Sequence, residues 1–560
     1  MLLWARHLTN ILPVPHAFSQ TYDNVFHLNV IRYIVETGDS GPWLPLNLDP
    51  ASGQQIFYPT AWHQLAALAF PVGDATVQVA SNATLFVVCA VLWPLSALEL
   101  TLTLGPRSPG AILSTAVLSA SFSAFPFLML DWGVLYPNLL SYAAIPAGLA
   151  LFGSLLLPGA TPHFPYIATA LTTSLITLGI TLAHPNGLVL LLLLALPAMA
   201  VGALATVKSA FKGRVRWVWA ATWLAVAALG LAVFMRVWLV ARPGNRPWPP
   251  LHDLTTALGQ ALYSNPIMGP PAPIVAFLTL GGLVLLAVLT RSGWFLAAGL
   301  LGLALWVVGS GAPEGALREF LTGTWYSDSY RLAPVLTLVS VPAAAFAVDQ
   351  ALLWLAPVPA PRRAGGHSDR PAPATRPRTR TVPLTATFVI PALLIVTTQW
   401  SPSLHHAVTH AATAYDFAED PCAVDDVTCL VTADEYAVLE ALPHLTAPYA
   451  VILAEPLNGS TLAYALAARR VLRPYIGTAP TPNEEVVLTQ LDAVPATQAL
   501  CAAVEELRIT HVLDFGSQTV HTRDLTHPGL DELASSPAVR EVVRHGHAAL
   551  YEVVACRPVG

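Results

Sequence analysis

Long apolar stretches fill the first 400 residues, and short alternating ones fill the rest. Stretches long enough to cross about 30 Å of hydrocarbon as helix lie at about 79–104, 112–130, 134–157, 165–182, 186–207, 217–240, 274–290, 293–310, 332–355 and 382–398. They predict ten membrane-spanning helices. Most are apolar around the whole circumference, as expected where lipid or other helices surround them. Their Gly, Ala, Ser and Pro content suits close helix packing in lipid. The run from Ala61 to Val72 is too short to span and predicts an interfacial or re-entrant helix.

Beyond Gln399 the period changes. β-prone runs at Tyr449–Glu455, Arg470–Ile476, Ile509–Phe515 and Ala549–Ala555 alternate with helical patterns near 432–443, 459–468, 483–493 and 496–508. That alternation predicts an α/β domain with a mostly parallel sheet. The stretch Glu455-Pro456-Leu457-Asn458-Gly459-Ser460 falls where a strand passes into a helix, the place where open α/β sheets bind ligands. Its plainer reading, a turn and a helix N-cap, is preferred.

Composition agrees with the pattern. The chain is 54% apolar and 11% charged, with mean hydropathy +0.58, whereas a soluble chain carries about 25% charged residues. Residues 1–398 hold 13 Asp/Glu and 19 Lys/Arg, and residues 399–560 hold 20 and 8. This step marks a boundary between an α-helical polytopic membrane domain, 1–398, and an α/β domain, 399–560. Basic residues concentrate in alternate loops: Arg107; Lys208, Lys212, Arg214 and Arg216; Arg291; and six Arg from Arg362 to Arg380. The positive-inside rule places these loops in the cytoplasm. Outer loops 11–78, 241–273 and 311–331, with the whole tail from 399, then face outward in a multi-pass cell-membrane protein. The Arg/Pro-rich run 357–382 reads as a cytoplasmic linker rather than a nucleic-acid contact.

An outward tail permits disulfides. Cys422 with Cys429 would close a short loop, and Cys501 with Cys556 would tie a helix to the last strand. Nothing has CxxC metal spacing, and Cys89 stands alone inside a span, where it reads as packing.

The candidate chemistry lies in the outer loops. Asp23 and His27, four apart in a predicted helix between Pro15 and Gly38, share one face. A second cluster holds Tyr58, Trp62 and His63, short turns add Asp131 and His184, and a third cluster holds Trp325, Tyr326, Asp328 and Arg331. Taken singly, each has a plain reading as a surface charge, a helix-end cap or part of an interfacial aromatic belt. Their common side of the membrane predicts one pocket.

The segments Thr21-Tyr22-Asp23-Asn24-Val25-Phe26-His27, Phe57-Tyr58-Pro59-Thr60-Ala61-Trp62-His63 and Trp325-Tyr326-Ser327-Asp328-Ser329-Tyr330-Arg331 resemble those of a group of large actinobacterial membrane proteins. That group in turn resembles the GT-C superfamily of integral membrane glycosyltransferases. The resemblance covers nearly the whole chain and implies transfer of a sugar from a polyprenyl-phosphate donor to a cell-envelope glycan or glycolipid. The superfamily's first-loop acid, which acts as general base or helps position donor and metal, maps onto Asp23. The resemblance alone brings in a divalent cation. It also exposes a departure: twelve residues precede Pro13 where the superfamily has a span, so either the start lies too far downstream, with an in-frame apolar helix expected upstream of Met1, or the chain is a shortened copy.

Chemistry supports the same reading. The chain shows no Gly-rich phosphate loop, and an outward site has no access to cytoplasmic nucleotide sugars, so a membrane-borne donor solves the access problem. Asp23 could take the acceptor's proton with His27 orienting it, and Arg331 could meet the departing lipid phosphate. Trp325, Tyr326 and Trp62 could stack on sugars, and the tail could bind the acceptor. Two other classes are a transporter or flippase of envelope lipids and a membrane-anchored receptor or scaffold. Transporters place ionisable groups near mid-membrane and show repeats, whereas Glu99, Arg236 and Asp349 sit near span ends. A receptor would not need the acidic first loop.

Overall fold

The computed structural model describes residues 1–41, 46–49, 54–70, 76–105, 107–157, 165–242, 247–267, 269–290, 292–355, 384–415, 430–475, 480–492, 495–517 and 527–556. The linker 357–382, Arg291, Cys422 and Cys429 lie outside the described residues.

Among the described residues seven helices are long and apolar enough to cross a membrane: Val77–Leu104, Tyr136–Leu156, Tyr166–Ala183, Pro185–Phe211, Trp217–Val240, Gly293–Gly311 and Ser329–Leu355. Thr387–Thr398 and Pro402–Thr413 form a pair bent by 58°, a broken span or a re-entrant loop, and Pro109–Leu118 and Pro273–Leu289 are shorter apolar helices. Each of the ten predicted stretches holds a helix, but they are not ten uninterrupted spans.

The 112–130 stretch departs most. Its helix stops at Leu118 and resumes only over Phe127–Asp131. The intervening sequence, Ser-Ala-Ser-Phe-Ser-Ala-Phe-Pro, explains the break, because serine hydroxyls compete for main-chain carbonyls and Pro126 has no N–H. Ser119 Oγ donates to the Ala116 carbonyl and Ser121 Oγ to that of Val117. Irregular backbone among apolar helices persists only where protein groups satisfy it. Here Trp93 Nε1 donates to the Ser119 carbonyl at 2.9 Å, and Gln399 Nε2 to that of Ala120 at 3.2 Å. Gln399 is held in turn by His7 of the opening Leu2–Ile11 helix at 2.8 Å.

The Ser329–Leu355 helix is the most enclosed of the bundle. Ser108 donates to Asp349 near one end, and Trp132 donates to Asp328 at the other. Those ends are about 30 Å apart at 1.5 Å rise per residue, so the chain from 108 to 132 runs the length of the bundle in spite of its break.

Two helices sit at the Asp328 end of the bundle, Asn24–Thr37 and Ala61–Ala69, the second being the short helix expected from the 61–72 run. Between them strands β1 (Leu46–Asp49) and β2 (Gln54–Ile56) pair antiparallel.

The tail holds β3 (Val451–Leu453), β4 (Arg470–Val471), β5 (His511–Asp514), β6 (Val539–His545) and β7 (Ala548–Val553), in the order β4-β3-β5-β7-β6. The expected mostly parallel sheet is corrected to a mixed one. β3 is parallel to β4 and β5, while β7 runs antiparallel to both β5 and β6. The β6–β7 pair was missed because β6 exposes most of its side chains and carries three charges, so it lacks an apolar run. The 455–460 segment is the turn and cap of its plainer reading: Asn458 Oδ1 accepts from the Ser460 amide at 3.0 Å and starts a 3-10 turn. Cys501 and Cys556 are joined, tying the Gln498–Leu507 helix to the residues after β7.

The tail packs on the first loop. Val25, Leu28 and Ile31 share a core with Leu439, Ile452 and Leu462, and burying each such side chain stabilises by about 1.5–3 kcal/mol. Polar bonds fix the register of this seam. Asn29 donates to the carbonyls of Thr461 and Pro474 at 3.2 and 2.6 Å and accepts from the Ala465 amide at 3.1 Å.

Candidate functional site

At the Asp328 end of the bundle a cavity of about 400 Å³ opens between the first loop, the bundle and the tail. Asp23, His27, Tyr58, His184, Tyr326 and Arg331 line it, all of them expected in one pocket. The remaining predicted residues stand around it. Trp62 is fully buried and stacks on Tyr136 at 4.5 Å, and Trp325 is fully buried against Trp238, so both belong to the core rather than to a sugar platform. His63 sits behind His27, Asp328 behind Arg331, and Asp131 faces a neighbouring cavity.

Asp23 occupies the N-cap of the Asn24–Thr37 helix, yet its side chain makes no capping bond. The carboxylate lies instead against Gly133, where a Cβ would come within 3.2 Å of Oδ2. Gly133 has φ +64°, a conformation that glycine adopts without steric cost, so this turn both bends and leaves room. Burial pushes the Asp23 pKa up to about 6, with the Arg331 guanidinium opposing and Asp328 reinforcing the rise.

His27 Nδ1 and His63 Nε2 are 2.9 Å apart, so one ring donates to the other. Burial holds the His27 pKa down to about 3 and that of His63 well below the usual range. The pair is therefore neutral near pH 7, and His27 forms an uncharged wall beside Asp23. His184 caps the Pro185–Phe211 helix, its Nδ1 accepting from the Asn186 amide at 3.2 Å.

Arg331 pairs through Nε with Asp328 Oδ2 at 3.0 Å and lies over the Tyr326 ring at 4.8 Å. Asp328 also accepts from Trp132 Nε1 at 3.2 Å and from the Tyr330 amide at 2.9 Å. The preceding loop is strained, with Tyr326 and Ser327 both at positive φ. Buried Arg318 holds it, donating to the carbonyls of Gly309, Trp248 and Ser327.

Tyr22, Phe26, Asn138, Trp248 and Tyr475, none of them among the expected site residues, also line the cavity. Tyr22 and Phe26 could have been found, since they lie on the face that Asp23 and His27 define. Trp248 and Tyr475 could not, because only the packed fold brings them in.

Among the described residues no three His, Cys, Asp or Glu side chains converge as a metal would require. Asp328, the neighbour of Asp23, already receives Arg331, Trp132 and the Tyr330 amide. This donor set does not fit a resident divalent cation.

No curated protein matches the chain. Among solved structures it is similar to the archaeal oligosaccharyltransferase AglB from Archaeoglobus fulgidus, in complex with an inhibitory peptide and a dolichol-phosphate. The identity is 12% over 91% of this chain and 68% of that one, with TM-score 0.48. It is also similar to ArnT from Cupriavidus metallidurans in the apo state, at 11% identity over 99% of this chain and 96% of that one, with TM-score 0.46. The chain belongs to the family of unknown function DUF6541, whose family model matches residues 1–555.

Proposed function

We propose that the chain is an integral membrane glycosyltransferase that moves a sugar from a polyprenyl-phosphate donor to a hydroxyl of a cell-envelope glycan or glycolipid. The observation that carries this reading is the presence, in one cavity, of the Asp23 carboxylate, which caps nothing, and the Arg331 guanidinium. Asp23 takes the proton from the acceptor hydroxyl as its oxygen bonds to the anomeric carbon. The bond from that carbon to the phosphate oxygen breaks with its electron pair, and Arg331 meets the charge on the lipid phosphate. Tyr58, Tyr326, Trp248 and Tyr475 give the cavity the aromatic lining that an organic ligand needs.

The resemblance of the first loop to GT-C enzymes supports the same assignment of Asp23. Sidedness is part of the proposal. The Pro185–Phe211 helix runs from His184 at the cavity to Lys208 and Lys212, about 40 Å away. Basic ends face the cytoplasm, so the cavity and the tail face outward. The test is transfer of radiolabelled sugar from polyprenyl-phosphate donors to envelope lipids by the full-length protein in vesicles. Transfer is expected, and its absence with every such donor would overturn the reading.

A further inference from the structure

A second, polar cavity of about 260 Å³ lies beside the first, with Asp131, Tyr330, Ser403, His406 and His410 in its wall. Asp131 Oδ1 is 2.9 Å from His410 Nδ1, and the His410 ring stacks on His406 at 5.7 Å. The partition between the two cavities is thin. Trp132 stacks on Tyr330 at 4.2 Å and meets Trp248 edge-on at 5.2 Å, and Trp248 lines the first cavity. Asp131 thus faces one chamber while Gly133, two residues on, lies against Asp23 in the other.

An apolar cavity of about 200 Å³ adjoins the second chamber, with Ser123 and Pro266 in the walls of both. That cavity is walled by the Pro273–Leu289, Gly293–Gly311 and Ser329–Leu355 helices. It reaches the flank of the bundle where Leu280, Val284 and Leu300 are exposed. A polar chamber at the helix ends next to an apolar groove open to the side has the form of a site for an amphiphile.

We infer that this composite site binds the acceptor as a membrane lipid with an uncharged, hydroxyl-bearing head. Its chain lies in the groove and its head against Asp131 and His410. The word acceptor rests on the transferase reading above, and the lipid site does not. Charge selects the head. No Arg or Lys lines the polar chamber, and the Asp131 carboxylate is paired with His410, so the chamber offers no net positive charge to a phosphate, while the pair can accept from and donate to hydroxyls. Arg331 stands on the other side of the Trp132–Tyr330 partition, where the anionic donor belongs.

The test uses full-length protein in phosphatidylcholine nanodiscs and an alkyl glucoside with a photoreactive diazirine in its chain. Crosslinks are expected in the 273–289 and 293–311 helices, competed by unlabelled alkyl glucoside but not by alkyl phosphate or free glucose. Asp131→Asn should lower labelling about tenfold or more, through loss of a charged hydrogen-bond acceptor. Val284→Trp, on the exposed groove mouth, should lower it while leaving thermal unfolding unchanged. Equal competition by alkyl phosphate would overturn the inference, and so would labelling indifferent to both substitutions. Labelling needs no turnover. Selective labelling without transfer from any polyprenyl-phosphate sugar would sink the transferase reading alone, and transfer without labelling would sink the lipid site alone.

Discussion

Arg331 Nε lies 3.0 Å from Asp328 Oδ2, and this bond separates the roles of the two acids near the cavity. Asp328 is committed to a guanidinium, an indole and a backbone amide. Asp23 caps nothing and lines the cavity.

Asp23→Asn should therefore cut transfer about a hundred- to ten-thousand-fold, the usual range for a lost general base, with the protein still folded and no less stable at neutral pH, because the substitution removes a carboxylate whose ionisation burial disfavours. Arg331→Lys should also impair transfer, because lysine keeps the charge and loses the planar fork. Initial rates at equal protein in vesicles check both. An Asp23→Asn protein as active as wild type would remove the assignment.

The pH dependence has a fixed sign. A base with pKa about 6 is protonated and idle below that value, so transfer should rise with pH through about 6 and level off above 7. Stability should move the other way. The folded state holds the Asp23 proton more tightly than an unfolded chain with pKa 3.8, so stability from this group is full below about 4 and lost as pH rises through 6. A rate profile flat from pH 5 to 8 would count against Asp23 as the base.

One reactive carboxylate also predicts the stereochemistry. Double displacement needs a second group as nucleophile, and Asp328 is held by Arg331. NMR of the product should show the anomeric configuration inverted relative to the donor. Retention would require a nucleophile that this cavity does not supply.

Asn29→Ala should loosen the tail from the first loop. It leaves buried partners at Thr461, Pro474 and Ala465 unsatisfied, at about 1–3 kcal/mol for each such group. Faster proteolysis between the bundle and the tail is expected, together with a higher KM, since Tyr475 reaches the cavity from the tail. Unchanged proteolysis and KM would show that the seam is held by its apolar contacts alone.

Reduction of Cys501–Cys556 opens a link across 55 residues, worth about 4 kcal/mol in a loop-closure account. Hydrogen exchange should quicken in the Gln498–Leu507 helix and in β7 and stay unchanged in the membrane helices. Equal exchange before and after reduction would contradict a stabilising bond.

Much of this architecture was legible in the chain. Ten apolar stretches announced ten helical places, because in lipid a segment must satisfy its own backbone. The charge step near Gln399 and the change of period announced an α/β tail. Asp23, His27, Tyr58, His184, Tyr326 and Arg331 were legible as a set, because helices crossing a layer in alternation return their loops to the same side.

Three things were decided only by tertiary structure. The break after Leu118 depends on partners in other helices, Trp93 and Gln399, that make irregular backbone tolerable there. The mixed sheet depends on β6 finding β7, a pairing that an exposed, charged strand does not advertise. The third is which aromatic residues face the cavity. Trp62 and Trp325 are the same residue type as Trp248, yet the first two are core and the last is wall. The sequence by itself determined which segments share an end of the bundle, since that follows from length and hydropathy along the chain. Only packing decided which side chains converge on Asp23, because convergence depends on helix rotation and on the docking of a tail more than 400 residues away.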